Sequence, residues 1–284
     1  MERAGAVRYL NSYKTEFSHR VRQDDLLLYL RDSSAADVLP PIAQLIQQRT
    51  REPLRRGVVR CLSGMHSRFF VKTVEIESLP SRLRATFGLQ RRGSGHIWPV
   101  AELINSVEAF RLGAPVPRVI GFGYRRRGVS LVRELFMVSE MLEGHIDGLQ
   151  WLQEPGAEFE PFLRRAFALF RRLHGLQIFH LDLWAGNIMF DPARSDDLRV
   201  VDLENCYIGS VPCFAEALGF QFGFFYYRFV KQHIDEARYD QLVAEALAAY
   251  PEIDAQRFSA IYGASKHRHI SRKKRRGIIL AGTL

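Results

Sequence analysis

Three polar residues, Asp182, Asn187 and Asp202, sit at the ends of short apolar runs within residues 179–205. Asp182 and Asn187 are five apart across a tight loop, and Asp202 closes the run Leu198-Arg-Val-Val. The flanking Ile178, Phe179, Ile188, Met189, Phe190, Val200 and Val201 would bury short strands and leave the polar side chains pointing into a cleft. The chemistry this set suits is phosphoryl transfer. That reaction needs a carboxylate near the acceptor hydroxyl and oxygen ligands for one or two Mg²⁺ ions bridging ATP phosphates. Asp182 is then the base, and Asn187 and Asp202 are the metal ligands. The alternative is a β-hairpin whose Asp and Asn serve only the turns.

Further residues fit the same chemistry. His180-Leu-Asp182-Leu-Trp-Ala-Gly-Asn187 matches the H-x-D-x-x-x-x-N catalytic loop in full, whereas Asp202-Leu-Glu204 lacks the usual final glycine of the metal site. Upstream, Lys72 lies in the strand-like run Arg-Phe-Phe-Val-Lys-Thr-Val. A lysine there needs a partner if buried, and is expected to hold nucleotide phosphates and pair with a helical glutamate. Glu102 and Glu108 are the candidates. Their spacing puts them about 120° apart around a helix, so only one can face Lys72; Glu102 is preferred and Glu108 second. The run Leu135-Phe-Met-Val-Ser-Glu-Met-Leu reads as a buried connector strand, with the backbone around Glu140 and Leu142 placed to hydrogen-bond adenine.

The remaining elements must position these groups. Tyr9–Phe17 could be a strand, and residues 25–31 another strand or a short helix. Ala35 to about Arg49 reads as a helix interrupted by Pro40-Pro41. Val58–Leu62 and Arg68–Val74 are expected to pair through a turn at Ser63–His66, followed by a polar, basic loop over residues 78–96. Pro99 to Leu112 has helical spacing and stops at Gly113. Val119–Tyr124 and Val129–Val138 are strands around the loop Arg125–Gly128. Phe159–His174 has a wide apolar face opposite four arginines. Phe214–Ile234, Glu236–Tyr250 and Asp254–Tyr262 read as helices.

The 284 residues, 47% hydrophobic, suffice for a full core in one or two domains. There is neither a run of about 18 apolar residues nor an N-terminal apolar segment, so neither a membrane span nor a signal peptide is expected. Three cysteines in no metal spacing fit a reduced cytoplasmic setting. The net charge of +9 is uneven. Residues 1–135 carry 23 basic and 12 acidic side chains, residues 136–265 carry 10 and 19, and residues 266–276 add seven basic ones. A polyanionic partner follows. No base-stacking motif accompanies the charge, which ranks nucleic acid last.

Taken in order, Lys72, a helical glutamate, the Met-Val-Ser-Glu connector, Leu173-His174-Gly175, His180-Leu-Asp182 with Asn187, and Asp202 resemble the protein-kinase-like superfamily over about residues 55–230. Phe110-Arg-Leu-Gly-Ala-Pro-Val-Pro and the stretch Arg172 to Met189 are similar to the lipopolysaccharide kinase family of the Kdo/WaaP type. The resemblance implies an α+β, two-lobed fold: an N-terminal lobe over 1–140 with an antiparallel sheet and one helix, a mainly helical catalytic lobe over 141–265, and a basic tail over 266–284. It also implies a cytoplasmic enzyme, peripheral at the inner face of the inner membrane, using ATP and Mg²⁺ to phosphorylate a sugar hydroxyl of a glycolipid, Kdo or heptose of the lipopolysaccharide inner core. Lys72 would then hold nucleotide phosphates, Asp182 act as base, and Asn187 and Asp202 hold metal. The tail Lys266–Arg276 is expected to meet an anionic membrane surface. No glycine-rich loop precedes Lys72, and Trp184 and Glu204 depart from the protein-kinase pattern. A small-molecule kinase of the aminoglycoside or choline type and a pseudokinase binding module are the rival readings.

Overall fold

The computed structural model describes residues 13, 15–49, 56–60, 68–87, 89, 98–192 and 194–284. The turn expected at Ser63–His66, the loop residues Arg91–Gly93 and most of the strand expected at Tyr9–Phe17 lie outside the described residues. The chain forms two compact units, Met1–Val107 with Pro117–Met141 and Glu108–Val116 with Leu142–Leu284. The class is α+β as expected, with an antiparallel sheet in the first unit and mainly helices in the second.

The first unit runs β1 (His19–Gln23), β2 (Leu26–Leu30), α1 (Leu39–Arg49), β3 (Arg56–Arg60), β4 (Arg68–Glu75), α2 (Leu79–Phe87), α3 (Trp98–Arg111), β5 (Val119–Arg125) and β6 (Glu134–Glu140). The sheet order is β1-β2-β5-β6-β4-β3, with every neighbouring pair antiparallel. Alternating side chains give it two apolar faces. Leu28, Leu30, Val71 and Val138 pack with Leu39, Ile42 and Ile46 of α1. Leu27, Phe122, Tyr124 and Leu135 pack with Val100, Leu103 and Val107 of α3. The same alternation turns Lys72, next to Val71, toward the α3 face.

Two details differ from expectation. Pro40 and Pro41 do not interrupt a helix but occupy the first turn of α1, where a missing N–H costs nothing. The loop expected at 78–96 begins instead with α2. The Ser81 N–H donates to Ser78 Oγ at 3.3 Å, and Thr86 Oγ1 accepts from the Val132 N–H at 2.9 Å, so tertiary anchoring overrides a polar composition.

The second unit contains β7 (Ile146–Asp147), α4 (Gly148–Trp151), α5 (Phe159–Gly175), β8 (Ile178–His180), β9 (Ile188–Asp191), β10 (Arg194–Val200), β11 (Cys206–Ile208), α6 (Phe214–Arg228), α7 (Glu236–Leu247), α8 (Ala255–His267) and α9 (Arg272–Ala281). Phe162, Phe170 and Leu173 of α5 meet Phe222 and Phe225 of α6 and Tyr239 and Leu242 of α7 in one core. Burying each such side chain contributes about 1.5–3 kcal/mol. α6 and α8 pack closely because Gly219 and Gly223 lack side chains. A Cβ on Gly219 would meet the Phe258 carbonyl oxygen at 2.5 Å, and one on Gly223 the Tyr262 carbonyl oxygen at 2.6 Å.

The segment expected as a tail is structured. Lys266 is buried at the end of α8 and pairs with Glu236 at 2.6 Å and Asp240 at 2.7 Å. α9 then turns Arg275, Ile278 and Ile279 inward, the isoleucines packing with Phe220, Phe224, Ile261 and Ile270. The apolar Ile-Ile pair drives this: with Arg275 it shares one helical face. Gly282, at φ +68°, closes the helix with its N–H on the Ile278 carbonyl. Among the described residues no helix is long and apolar enough to cross a membrane.

Candidate active site

Two small ladders carry the polar residues of the second unit. β8 pairs with β11, and β9 with β10, the latter with Val200 opposite Ile188. Asp182 and Asn187 therefore bracket the loop between β8 and β9, and Asp202 follows β10. Short hydrogen bonds tie the three together. Asn187 Nδ2–H donates to the Asp182 carbonyl at 2.9 Å, and the Val201 N–H donates to the Asn187 carbonyl at 3.1 Å. His180 links both sides: its Nδ1 accepts from the Asp182 N–H at 3.2 Å, and its Nε2–H donates to the Val201 carbonyl at 3.1 Å. That pattern requires the neutral ring. Burial supports it by holding the His180 pKa below the ordinary histidine value.

A second layer lies beneath the loop. Gln221 of α6 donates Nε2–H to the His180 carbonyl at 3.1 Å and accepts at Oε1 from His174 Nε2–H at 2.6 Å. His174 Nδ1 accepts in turn from the Tyr250 hydroxyl at 2.8 Å. Desolvation pushes the His174 pKa down to about 4, so this ring is neutral as well. The glutamine that breaks the apolar run of α6 is thus the link between the helical core and the loop.

Asp202 adopts the left-handed conformation, φ 65° and ψ 50°. Asp is among the few non-glycine residues that tolerate it. The turn it makes brings a carboxylate oxygen of Asp202 within 4.8 Å of one of Glu204. Carboxylate oxygens are the kind of donor that Mg²⁺ takes.

The Asp182 carboxylate is held from α9. Arg275 Nη1 donates to Oδ1 at 2.8 Å and Arg272 Nη2 to Oδ2 at 3.0 Å. Arg275 also donates to the Leu181 carbonyl at 3.0 Å and the Ile270 carbonyl at 2.9 Å, while Arg272 Nη1 reaches Glu204 Oε1 at 2.5 Å. These contacts draw Arg272 and Arg275 out of the basic segment that charge counting treats as a block. Their spacing ahead of Ile278-Ile279, which puts all four near one helical face, is the signal that could have found them.

In the first unit, Lys72 Nζ lies 2.7 Å from Glu102 Oε1 and 2.6 Å from Oε2, with both side chains about one-twentieth exposed. Glu108 instead pairs with Arg111 at the surface. A small recess lined by Lys72, Glu102, Phe122, Leu135 and Met137 opens beside the pair. Glu140 ends β6: its N–H donates to the Arg118 carbonyl at 2.9 Å, and its Oε1 accepts from the Arg118 N–H at 2.9 Å. Leu142 lies two residues beyond that strand and begins the second unit's longer segment. The N–H of Glu140 is therefore used within the sheet.

Residues 95–213 match the Lipopolysaccharide kinase (Kdo/WaaP) family. The resemblance read from the motifs is borne out over that stretch. Kdo/WaaP proteins are kinases, and the matched residues include Glu102, Asp182, Asn187 and Asp202. Lys72 and the arginines of α9 lie outside the Kdo/WaaP match. No curated protein matches the chain.

Proposed function

We propose that this chain transfers the γ-phosphoryl group of ATP to a sugar hydroxyl of the lipopolysaccharide inner core, on Kdo or heptose, with Mg²⁺. The observation that carries the proposal is the shared scaffold of Asp182, Asn187 and Asp202, locked by His180. Asp182 accepts and orients the acceptor hydroxyl through a carboxylate oxygen. Asn187 spends its amide N–H₂ group on the Asp182 carbonyl, which leaves its Oδ1 for a cation. Asp202 supplies a carboxylate, with Glu204 as a third oxygen donor nearby. Mg²⁺ held by these oxygens would neutralise charge on the transferring phosphoryl group. Lys72, paired with Glu102, would take nucleotide phosphates.

Positioning supplies most of the rate in this chemistry, because the transition state is loose and needs little proton abstraction at its start. A carboxylate held by two guanidinium groups suits that role better than the role of a strong base. We further propose a peripheral location on an anionic inner leaflet. The exposed Arg268, Lys273 and Lys274 supply its basic surface, and high salt should release the protein. Membrane binding unchanged by salt would sink that location.

The test is nucleotide binding by thermal shift, with ATP in the presence and absence of Mg²⁺, on wild type and Asp202→Ala. Linkage predicts stabilisation that grows with nucleotide concentration, requires Mg²⁺ and is lost in the variant. No stabilisation under any condition would turn the reading toward a binding module without catalysis.

A further inference from the structure

Two arginines meet one carboxylate at Asp182, and their surroundings give them different jobs. Arg275 is 6% exposed and its guanidinium also bonds the carbonyls of Leu181 and Ile270. It is fixed, and it positions the loop. Arg272 is 59% exposed and, among the described residues, its guanidinium meets the carboxylates of Asp182 and Glu204. The two carboxylates it meets are only 12% and 9% exposed, so Arg272 is the solvent-facing end of the pair, and Arg275 still holds Asp182 if Arg272 turns to another anion.

We propose that Arg272 binds an anionic group, a carboxylate or a phosphate, carried by the acceptor sugar close to its reacting hydroxyl. The inference rests on the kinase reading only in naming the ligand an acceptor. A guanidinium fork matches both anions bidentately, and replacing one carboxylate by another keeps the charge balance. When the ligand's anion takes Arg272, Oδ2 of Asp182 is released to receive the hydroxyl. The ligand's charge and the availability of the base are thereby coupled.

Two further observations support the assignment. Arg228, exposed at the end of α6, lies with its guanidinium 4.8 Å from the centre of the Trp184 ring, two residues after Asp182. A third cation therefore stands at the loop that carries Asp182, where a neutral hydroxyl alone would need none. Glu204 stands where a glycine is usual and anchors Arg272 at 2.5 Å, so this departure and the arginine form one device.

The test is calorimetric binding to the full chain without turnover, using paired probes: Kdo against its methyl ester, and a heptose phosphate against the free heptose. The wild type should bind the anionic member of at least one pair about tenfold or more tightly, and the pair that discriminates names the anion. Arg272→Gln should abolish that preference, Arg272→Lys should retain part of it, and Arg228→Gln should reduce it by a smaller factor. Equal binding within both pairs, or a preference that survives Arg272→Gln, would overturn the proposal. Nucleotide stabilisation of the wild type reads the kinase proposal separately, so the two can fail independently.

Discussion

Arg275 donates to Asp182 Oδ1 at 2.8 Å from the far end of the chain, ninety-three residues away. The C-terminal helix is thus part of the loop's scaffold. Replacing Arg275 with Ala should leave Asp182 Oδ1 and the Leu181 and Ile270 carbonyls without their donor, at a cost of about 3 kcal/mol. Urea unfolding of Arg275→Ala against wild type checks this; a loss below about 0.5 kcal/mol would show that Arg275 does not hold the loop.

The neutral His174 makes stability depend on pH. Its folded pKa, about 4, lies below the ordinary value for a histidine in an unfolded chain. The unfolded state therefore binds more protons between these values, and stability falls as pH drops below about 6.5. By pH 5 the loss should be about 2 kcal/mol from this residue. Denaturant titrations from pH 7.5 to 5 on wild type and His174→Gln should show a flatter dependence in the variant. Identical slopes would contradict the buried neutral ring.

Lys72 and Glu102 form a buried pair, so removing one partner strands the other. Lys72→Met and Glu102→Leu should each cost about 3 kcal/mol, while the double variant Lys72→Met/Glu102→Leu should recover much of that. Nucleotide stabilisation should remain absent in the double variant. A double variant as unstable as the sum of the singles would argue against coupling across the pair.

Much of this was legible in the sequence. The loop motif from His180 to Asn187, the strand around Lys72, and the helices at Phe159 and Phe214 follow from period and spacing. The preference for Glu102 over Glu108 matches the observed ion pair. What sequence reasoning missed depends on contacts far apart in the chain. Gln221 stands inside an apolar run, and Arg272 and Arg275 belong to the basic segment 266–276 that charge counting treats as one block. Their partners lie about 40 and 90 positions away, beyond any local pattern. α2 was missed for a similar reason, since its anchor, the Val132 N–H, comes from another loop.

Close packing of α6 on α8 gives a further prediction. Gly223→Ala would put a Cβ 2.6 Å from the Tyr262 carbonyl oxygen and force the helices apart. Overpacking of this kind costs about 1–3 kcal/mol. Because α6 also carries Gln221, the variant should lose phosphotransfer as well as stability. A variant with the wild-type melting temperature would contradict the contact.

The most direct test of the central claim is phosphotransfer itself. Labelled γ-phosphate from ATP is offered to deacylated lipopolysaccharide core in the presence of Mg²⁺, with wild type and Asp182→Asn compared at equal folded concentration. Label should appear on the acceptor with wild type, and the rate should fall by about 10²–10⁴-fold in the variant, which keeps the shape and loses the charge. Transfer by Asp182→Asn at the wild-type rate would show that Asp182 does not orient the acceptor.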